Sequence, residues 1–355
     1  MKQEKKYDQL TVLKWSLAVS VAFAILVIVV CCDIHLPKDL FVKSEEKSVD
    51  DNSFIENVTY TYDEDVIVNG LSEDDIEKLL IPIPRGVKIE NIRIENDIMR
   101  REFTVTFPKG TAEYDYSAII NHSSAVLEVQ SRVDGNIVQI DVKLKILADY
   151  EFCLDKGCLY VKFVSPREKY PTIVVVDAGH GDYDVGAIQK GIYEKDINLE
   201  VVLKLKELLD HEPIKVYYTR QDDSYPSVEE RVDFVNELMP DLFISVHSNY
   251  YESELVSGVS VLYNVNDSEG FGSLWLAELM ASNVSLKAQQ NNRGAVKGND
   301  IHIVRNSQVP VALVELGFMS NEKDFEKLTQ KDGQALLAEG LRDGIVQALK
   351  ELGKY

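Results

Sequence analysis

Cysteine is scarce in this 355-residue chain: four residues, the adjacent Cys31 and Cys32 and the pair Cys153 and Cys158. None is spaced as C-x-x-C, which removes the usual zinc-ribbon and thioredoxin patterns. Histidine is nearly as scarce, with His35, His122, His180, His211, His247 and His302. A metal site built on imidazole must draw on that short set. Positive charge is in deficit, 38 Lys and Arg against 59 Asp and Glu, for a formal net charge of -21. A chain this acidic repels a nucleic-acid backbone, so no nucleic-acid partner is expected. Apolar residues are not scarce: 45% hydrophobic with 27% charged is ordinary globular composition, which excludes a wholly disordered chain. The length leaves room for two domains and extra segments.

Residues 16–32 read SLAVSVAFAILVIVVCC, without a charge. With Leu10 to Trp15 added, the run reaches the roughly 20 residues that a bilayer requires. Lys2, Lys5, Lys6 and Lys14 precede it and Asp33 follows, which predicts the amino terminus inside the cell and the remainder outside. The expected organisation is a cytoplasmic tail over 1–14 and an uncleaved transmembrane signal anchor over 15–32, hence a single-pass protein of the cell membrane. Ala22-Phe23-Ala24 fits a small-x-small cleavage site, but the apolar run continues well past it. Val30 stands where a lipoprotein signal before Cys31 wants a small residue. Residues 33–57 are acidic, with KSEEKSVDDNS in the middle and no apolar period, and read as a linker.

From 58 to 166 the pattern is one of short alternating runs: VTYTY, VKIENIRI, REFTVTF, AVLEVQSRV, NIVQIDVKLKIL and CLYVKFV. Period-two β-branched runs predict a small β-rich domain. Asp134-Gly135-Asn136 reads as a hairpin turn. LSEDDIEKLL predicts one short helix, with Ser72 as N-cap. Cys153 and Cys158 bracket a turn-like insert and either close a short disulfide outside the cell or stay as two thiols of a strand pair.

From 171 to 355 the pattern changes again. TIVVV is a continuous apolar run, as in a strand buried on both faces. DAGHGDYDVGA follows as a glycine-rich loop, then a helix over 194–210 with Ile197, Val201, Leu205 and Leu208 on one face. KVYYT, LFISVHS, GVSVLY and VALVELGF predict further strands. Helices are predicted from Ser227 through Leu238, over about 269–290 with Leu274, Ala277, Ala281 and Val284 along a face, and over 331–352. HIV at 302–304 reads as a short strand. This order predicts an α/β domain with a central, mostly parallel sheet and flanking helices.

Ligands of open α/β sheets sit beyond the carboxyl ends of the strands. His180 follows TIVVV by four residues, His247 ends LFISVH and Glu315 ends VALVE. A polar group that ends an apolar run is costly unless paired or liganded. Each alone reads equally well as a hydrogen-bonded structural residue, and Glu194 as a capping residue at a helix start. Gly179 and Gly181 on either side of His180 let the backbone turn sharply and leave room for the ring.

VVDAGHGDYDVGA, YEKDINL, ERVDFVNELMPDLFISVHSNY and NRGAVKGNDIHIVRNSQVPVALVELGFMSN, in this order, resemble the zinc-dependent N-acetylmuramoyl-L-alanine amidases of bacterial cell walls. The resemblance covers roughly 172–352, and the β-rich domain looks more loosely like the AMIN domains that often precede these enzymes. It implies one zinc on His180, Glu194 and His247, with Glu315 as general base and acid, and peptidoglycan as substrate. It also implies the bond cut, between N-acetylmuramic acid and L-alanine. Two imidazoles and a carboxylate with an open fourth position are a usual catalytic zinc set. Asp177 and Asp184 are expected to orient the His180 ring, Asn249 and Arg293 to contact substrate or hold loops, and Arg231, Asn236 and Asp241 to fix the helix and strand around the site. His302 reads as structural. Asp182-Tyr183 stands where the family usually has a second glycine, a change at the pocket rim. No inhibitory insertion is expected between His247 and Glu315, and the sequence identifies no protein activator. A catalytically silent scaffold, or another zinc hydrolase such as a carboxypeptidase, are the competing readings.

Overall fold

The computed structural model describes residues 77–110, 114–267 and 269–355. The signal anchor over 15–32, the acidic linker, the VTYTY run and the Ser72 cap lie outside the described residues. Among the described residues, no helix is long and apolar enough to cross a membrane.

The first part is β-rich, as its alternating runs predict. Its strands are β1 (Leu79–Pro82), β2 (Arg93–Asp97), β3 (Glu102–Pro108), β4 (Ile120–Asn121), β5 (Val126–Asp134), β6 (Ile137–Leu144), β7 (Asp149–Asp155) and β8 (Cys158–Val164). They form two four-stranded sheets, ordered β4-β1-β8-β7 and β2-β3-β6-β5. Period two decides which side chains enter the core. Phe103, Val105 and Phe107 on β3 and Val138, Ile140 and Val142 on β6 are buried, and Val105 stands opposite Ile140. Asp134 pairs with Ile137, so the predicted hairpin turns on Gly135 and Asn136.

Two local expectations fail here. Leu79 and Leu80, read as the end of a helix, are strand β1, paired with Val161 and Tyr160 of β8. Their complete burial outweighs a local helical pattern. Within VKIENIRI, residues Ile89–Asn91 form a 3-10 turn, and only β2 is extended. Cys153 is half-buried and Cys158 buried, and no disulfide forms among the described residues.

The single-turn helix α1 (Pro166–Lys169) leads into the second part. Its elements are β9 (Ile173–Ala178), β10 (Ile188–Gln189), β11 (Ile192–Tyr193), α2 (Glu194–Leu209), β12 (Lys215–Tyr218), α3 (Val228–Leu238), β13 (Leu242–Asn249), β14 (Val259–Tyr263), α4 (Ser273–Ala288), β15 (Asn292–Lys297), α5 (His302–Arg305), β16 (Val311–Phe318), α6 (Glu322–Thr329) and α7 (Lys331–Glu351). Six strands make the central sheet, ordered β12-β9-β13-β16-β14-β15. Every neighbouring pair is parallel except β14 against β16. Val174 and Val176 of β9 face a core shared with α2, α4 and α7. Ile173 and Val175 face the opposite core, with α3 and α5. The sheet is therefore buried on both faces, which is why its strands read as continuous apolar runs.

A capping box closes the start of α3: the Ser227 hydroxyl accepts from Glu230 N and the Glu230 carboxylate accepts from Ser227 N. Helix α4 buries Ala277, Ala281 and Val284 as predicted, with Leu276 fully buried and Leu274 only partly. This helix belongs to the core of the fold. HIV is helical, not a strand, and NRGAVK supplies the edge strand β15.

The two parts are tied together by a buried carboxylate. Asp149 accepts from Lys169 Nζ at 3.0 Å and from Tyr217 Oη at 3.1 Å. Ile98 and Leu147 enter the core beside α3.

Candidate metal centre

Parallel pairing brings the ends of β9, β13 and β16 to one edge of the sheet, with His247 directly opposite Glu315. His180 lies two residues beyond β9, and Glu194 is the first residue of α2. Ligating atoms of His180, Glu194 and His247 all lie within 4.8 Å of one another. The Glu194 carboxylate holds the centre: its Oε1 is 3.2 Å from His180 Nε2 and 3.0 Å from His247 Nδ1. The rings meet edge to face at 5.0 Å between centroids. The remaining Glu194 bonds fix the carboxylate plane. Ala187 N donates to Oε2 at 3.0 Å, and Asn198 Nδ2 and Ser248 N donate to Oε1 at 3.3 and 3.2 Å.

Glycine is required on both sides of His180. A Cβ on Gly179 would sit 2.2 Å from His247 Cε1, and one on Gly181 2.1 Å from the Ser224 carbonyl oxygen. His180 itself holds φ at +65°, a left-handed conformation that costs an L-residue about 1–2 kcal/mol. Asp184 orients its ring, with Oδ2 2.9 Å from Nδ1, which leaves Nε2 turned to the centre.

Electrostatics favour a cation between these groups. Burial pushes the Glu194 carboxyl up, but its bonds to His180 and His247 more than reverse this and hold it well below the usual carboxylate range. Burial pushes His180 down, yet Glu194 and Asp184 raise it to about 9. Positive charge is thus strongly stabilised beside Glu194. Two imidazole nitrogens and one ionised carboxylate oxygen converge here, with Nδ1 of His180 already engaged by Asp184, and this donor set suits zinc.

Glu315 differs from the three. Its Oε2 is buried with no hydrogen-bond partner. Burial raises its carboxyl to about 7, with Glu194 pushing the same way and the two histidines opposing. An unpartnered buried carboxyl is expensive, and one poised near neutrality is suited to moving protons.

The other expected residues divide. Asp184 touches the site as predicted. Asp177 does not touch the His180 ring. It is fully buried below the centre, where it accepts from Arg231 Nη1 at 2.5 Å and from the Thr219 and Ser245 hydroxyls at 2.6 Å each. Burial pushes its carboxyl up, but Arg231 and the two hydroxyls outweigh this and hold it at about 2. Asn249 and Arg293 both lie beside Phe318. Asn249 stands in register with Phe318, and the Arg293 guanidinium lies 5.4 Å from the centre of the Phe318 ring. Asn236 accepts from Gln308 N and donates to Asn306 O. Asp241 accepts from Ile173 N. Both hold framework, as expected.

Arg220 was missed by sequence reasoning. It is buried and bonded to backbone carbonyls behind His180. Its signal was present, a charged residue placed right after the KVYYT run, as His247 and Glu315 end theirs.

Residues 174–347 match the family described as N-acetylmuramoyl-L-alanine amidase. The chain is 37% identical over 172 residues to the uncharacterized protein YqiI of Bacillus subtilis (strain 168), covering 48% of this chain and 82% of that protein. It is 31% identical over 186 residues to the N-acetylmuramoyl-L-alanine amidase LytC of the same organism, covering 52% of this chain and 37% of LytC. The solved catalytic domain of CwlV, an N-acetylmuramoyl-L-alanine amidase from Bacillus (Paenibacillus) polymyxa var. colistinus, is 32% identical with a TM-score of 0.47, covering 50% of this chain and 98% of that domain.

Proposed function

The chain belongs to the N-acetylmuramoyl-L-alanine amidase family, and on that premise we propose that it is a zinc-dependent enzyme of peptidoglycan, cutting the amide between N-acetylmuramic acid and L-alanine. The observation that carries this reading is the convergence of His180, Glu194 and His247 within 4.8 Å beside the unpartnered carboxyl of Glu315.

His180, through Nε2, with Glu194 and His247 would hold the metal. Zinc bound there would supply Lewis acidity, polarising the amide carbonyl and lowering the pKa of the attacking water to roughly 7. Glu315 accepts that water's proton on its carboxylate and then delivers it to the nitrogen of the leaving L-alanine. Its burial keeps the carboxyl basic enough to take the proton at neutral pH. Asp184 holds the His180 ring in the tautomer that leaves Nε2 free. Asn249 and Arg293, both beside Phe318, are proposed to meet the substrate chain.

The apolar run over 15–32, with lysines before it and an aspartate after it, supports a membrane anchor that places this centre on the extracytoplasmic side. Finding residues 1–32 by mass in the membrane-extracted protein tests that part. The β-rich region is proposed to act as an AMIN-like module on the strength of its position and strand content.

The test of mechanism is Glu315→Ala. Hydrolysis should be abolished with zinc still bound. Loss of zinc with Glu315 would make it a ligand and reassign the roles. His180→Ala should lose both metal and hydrolysis. A catalytically silent scaffold would release no stem peptide at all.

A further inference from the structure

Where β9 runs out, three successive carbonyls on Ala178, Gly179 and His180 turn to two buried guanidinium groups. Arg220 Nε donates to Ala178 O at 2.8 Å and its Nη2 to Gly179 O at 2.9 Å. Arg231 donates from Nη1 to Ala178 O and from Nη2 to His180 O, both at 2.8 Å. The two side chains come from different elements: Arg220 from the turn after β12, Arg231 from the first turn of α3.

Two like charges buried together are unfavourable. The basicity of Arg220 is lowered by burial and by Arg231. Among the described residues, Asp177 is the buried carboxylate that pairs directly with Arg231, at 2.5 Å. A core needs no such arrangement, and apolar residues of similar volume commonly serve as well. The fork of a guanidinium does offer something a hydrocarbon cannot: fixed donors set to hold two acceptors at a defined separation.

Arg220 uses that fork across two chain segments. The same Nη2 that holds Gly179 O also donates to Lys195 O at 2.9 Å. Gly179 precedes His180 and Lys195 follows Glu194. One nitrogen therefore bridges the backbones that carry two of the three converging side chains. Arg231 extends the tie. It grips His180 O and Asp177, and Asp177 in turn accepts from Ser245, two residues before His247 on β13.

We propose that Arg220 is a positioning residue of the metal centre, setting the separation of His180 and Glu194 by bridging Gly179 O and Lys195 O, with Arg231 locking the left-handed turn at His180. This rests on the reading of His180 and Glu194 as ligands. Arg220 touches neither substrate nor metal and acts through the backbone alone.

The test uses the full chain and zinc itself. Zinc affinity is measured by competition with a chromophoric chelator, at a temperature where circular dichroism reports each variant folded. Arg220→Ala removes the fork outright. Arg220→Lys keeps the charge but not the fork and is the milder variant if the alanine chain does not fold. Asp149→Asn is the control, because it disturbs a buried ion pair remote from the centre. Arg220→Lys should weaken zinc binding about 10- to 100-fold, the range seen when groups behind metal ligands are removed. Asp149→Asn should lower the thermal midpoint and leave zinc affinity unchanged. Cobalt(II) in place of zinc should show an altered visible spectrum in Arg220→Lys only. A folded Arg220→Lys chain with the affinity and cobalt spectrum of the unmodified protein would overturn the positioning role, even if its thermal midpoint fell. Failure of the unmodified folded chain to bind zinc would instead overturn the ligand reading beneath it.

Discussion

Replacing Glu315 by glutamine should make the zinc-loaded protein inactive and the metal-free protein, at alkaline pH, more stable. The carboxyl has an ordinary value of 4.5 and is raised by burial to about 7 in the folded chain, with Oε2 unpartnered. The folded state therefore binds this proton more tightly than the unfolded state does. For a group raised in this way, stability falls as pH rises from about 4.5 to about 7 and is level above that. The gap between 4.5 and about 7 corresponds to roughly 3 kcal/mol at pH 8. Glu315→Gln removes the charge and keeps the shape. Urea unfolding of the chelated protein at pH 8 should show the variant more stable by up to roughly 3 kcal/mol, and at pH 4 the two chains should match. Saturating zinc should shrink the difference, because a cation beside the carboxylate relieves the cost that the substitution removes. Equal stabilities at pH 8, or a difference independent of pH, would refute the claim that Glu315 is held as a costly buried base.

Gly179→Ala places a methyl group 2.2 Å from the His247 ring and should abolish zinc binding while leaving far-ultraviolet circular dichroism intact; retained zinc would mean the ring can move aside. Asp177→Asn leaves the buried Arg231 without its anion and should destabilise the protein by about 3–5 kcal/mol, read by chemical unfolding. Hydrolysis should fall as pH drops through about 7, where Glu315 takes up its proton, with the limb displaced to lower pH by bound zinc; a rate constant from pH 4 to 8 would remove Glu315 from the role of base.

Breaks in otherwise regular patterns made His180, His247 and Glu315 candidates, and the resemblance to the amidase motifs joined them with Glu194 into one site. His247 and Glu315 end apolar strands, and His180 sits between two glycines that have no role in a simple turn. Chain order then predicted the sheet, since continuous apolar runs alternating with amphipathic helices permit little else. Three kinds of feature stayed hidden. Leu79 and Leu80 looked helical because their partner strand, β8, lies 80 residues away in sequence, and only that pairing decides their conformation. HIV looked like a strand, because three residues carry too little period to separate strand from helix. Asp177 was expected at the His180 ring, but a side chain within β9 points into the core, and its partners Thr219, Arg231 and Ser245 come from three other segments. Arg220 stood out only as a charge after an apolar run; its role escaped because its acceptors are backbone carbonyls of other segments.

The central claim is a zinc amidase acting on one bond of peptidoglycan, and product analysis tests it most directly. Purified full-length protein is incubated with purified sacculi, with zinc, with a chelator, and with zinc restored. The account predicts intact stem peptides bearing a free L-alanine amino terminus, released only when zinc is present, and glycan strands left uncut. Release of single terminal residues from the stem peptides, or stem-peptide release that persists in the chelator, would contradict it.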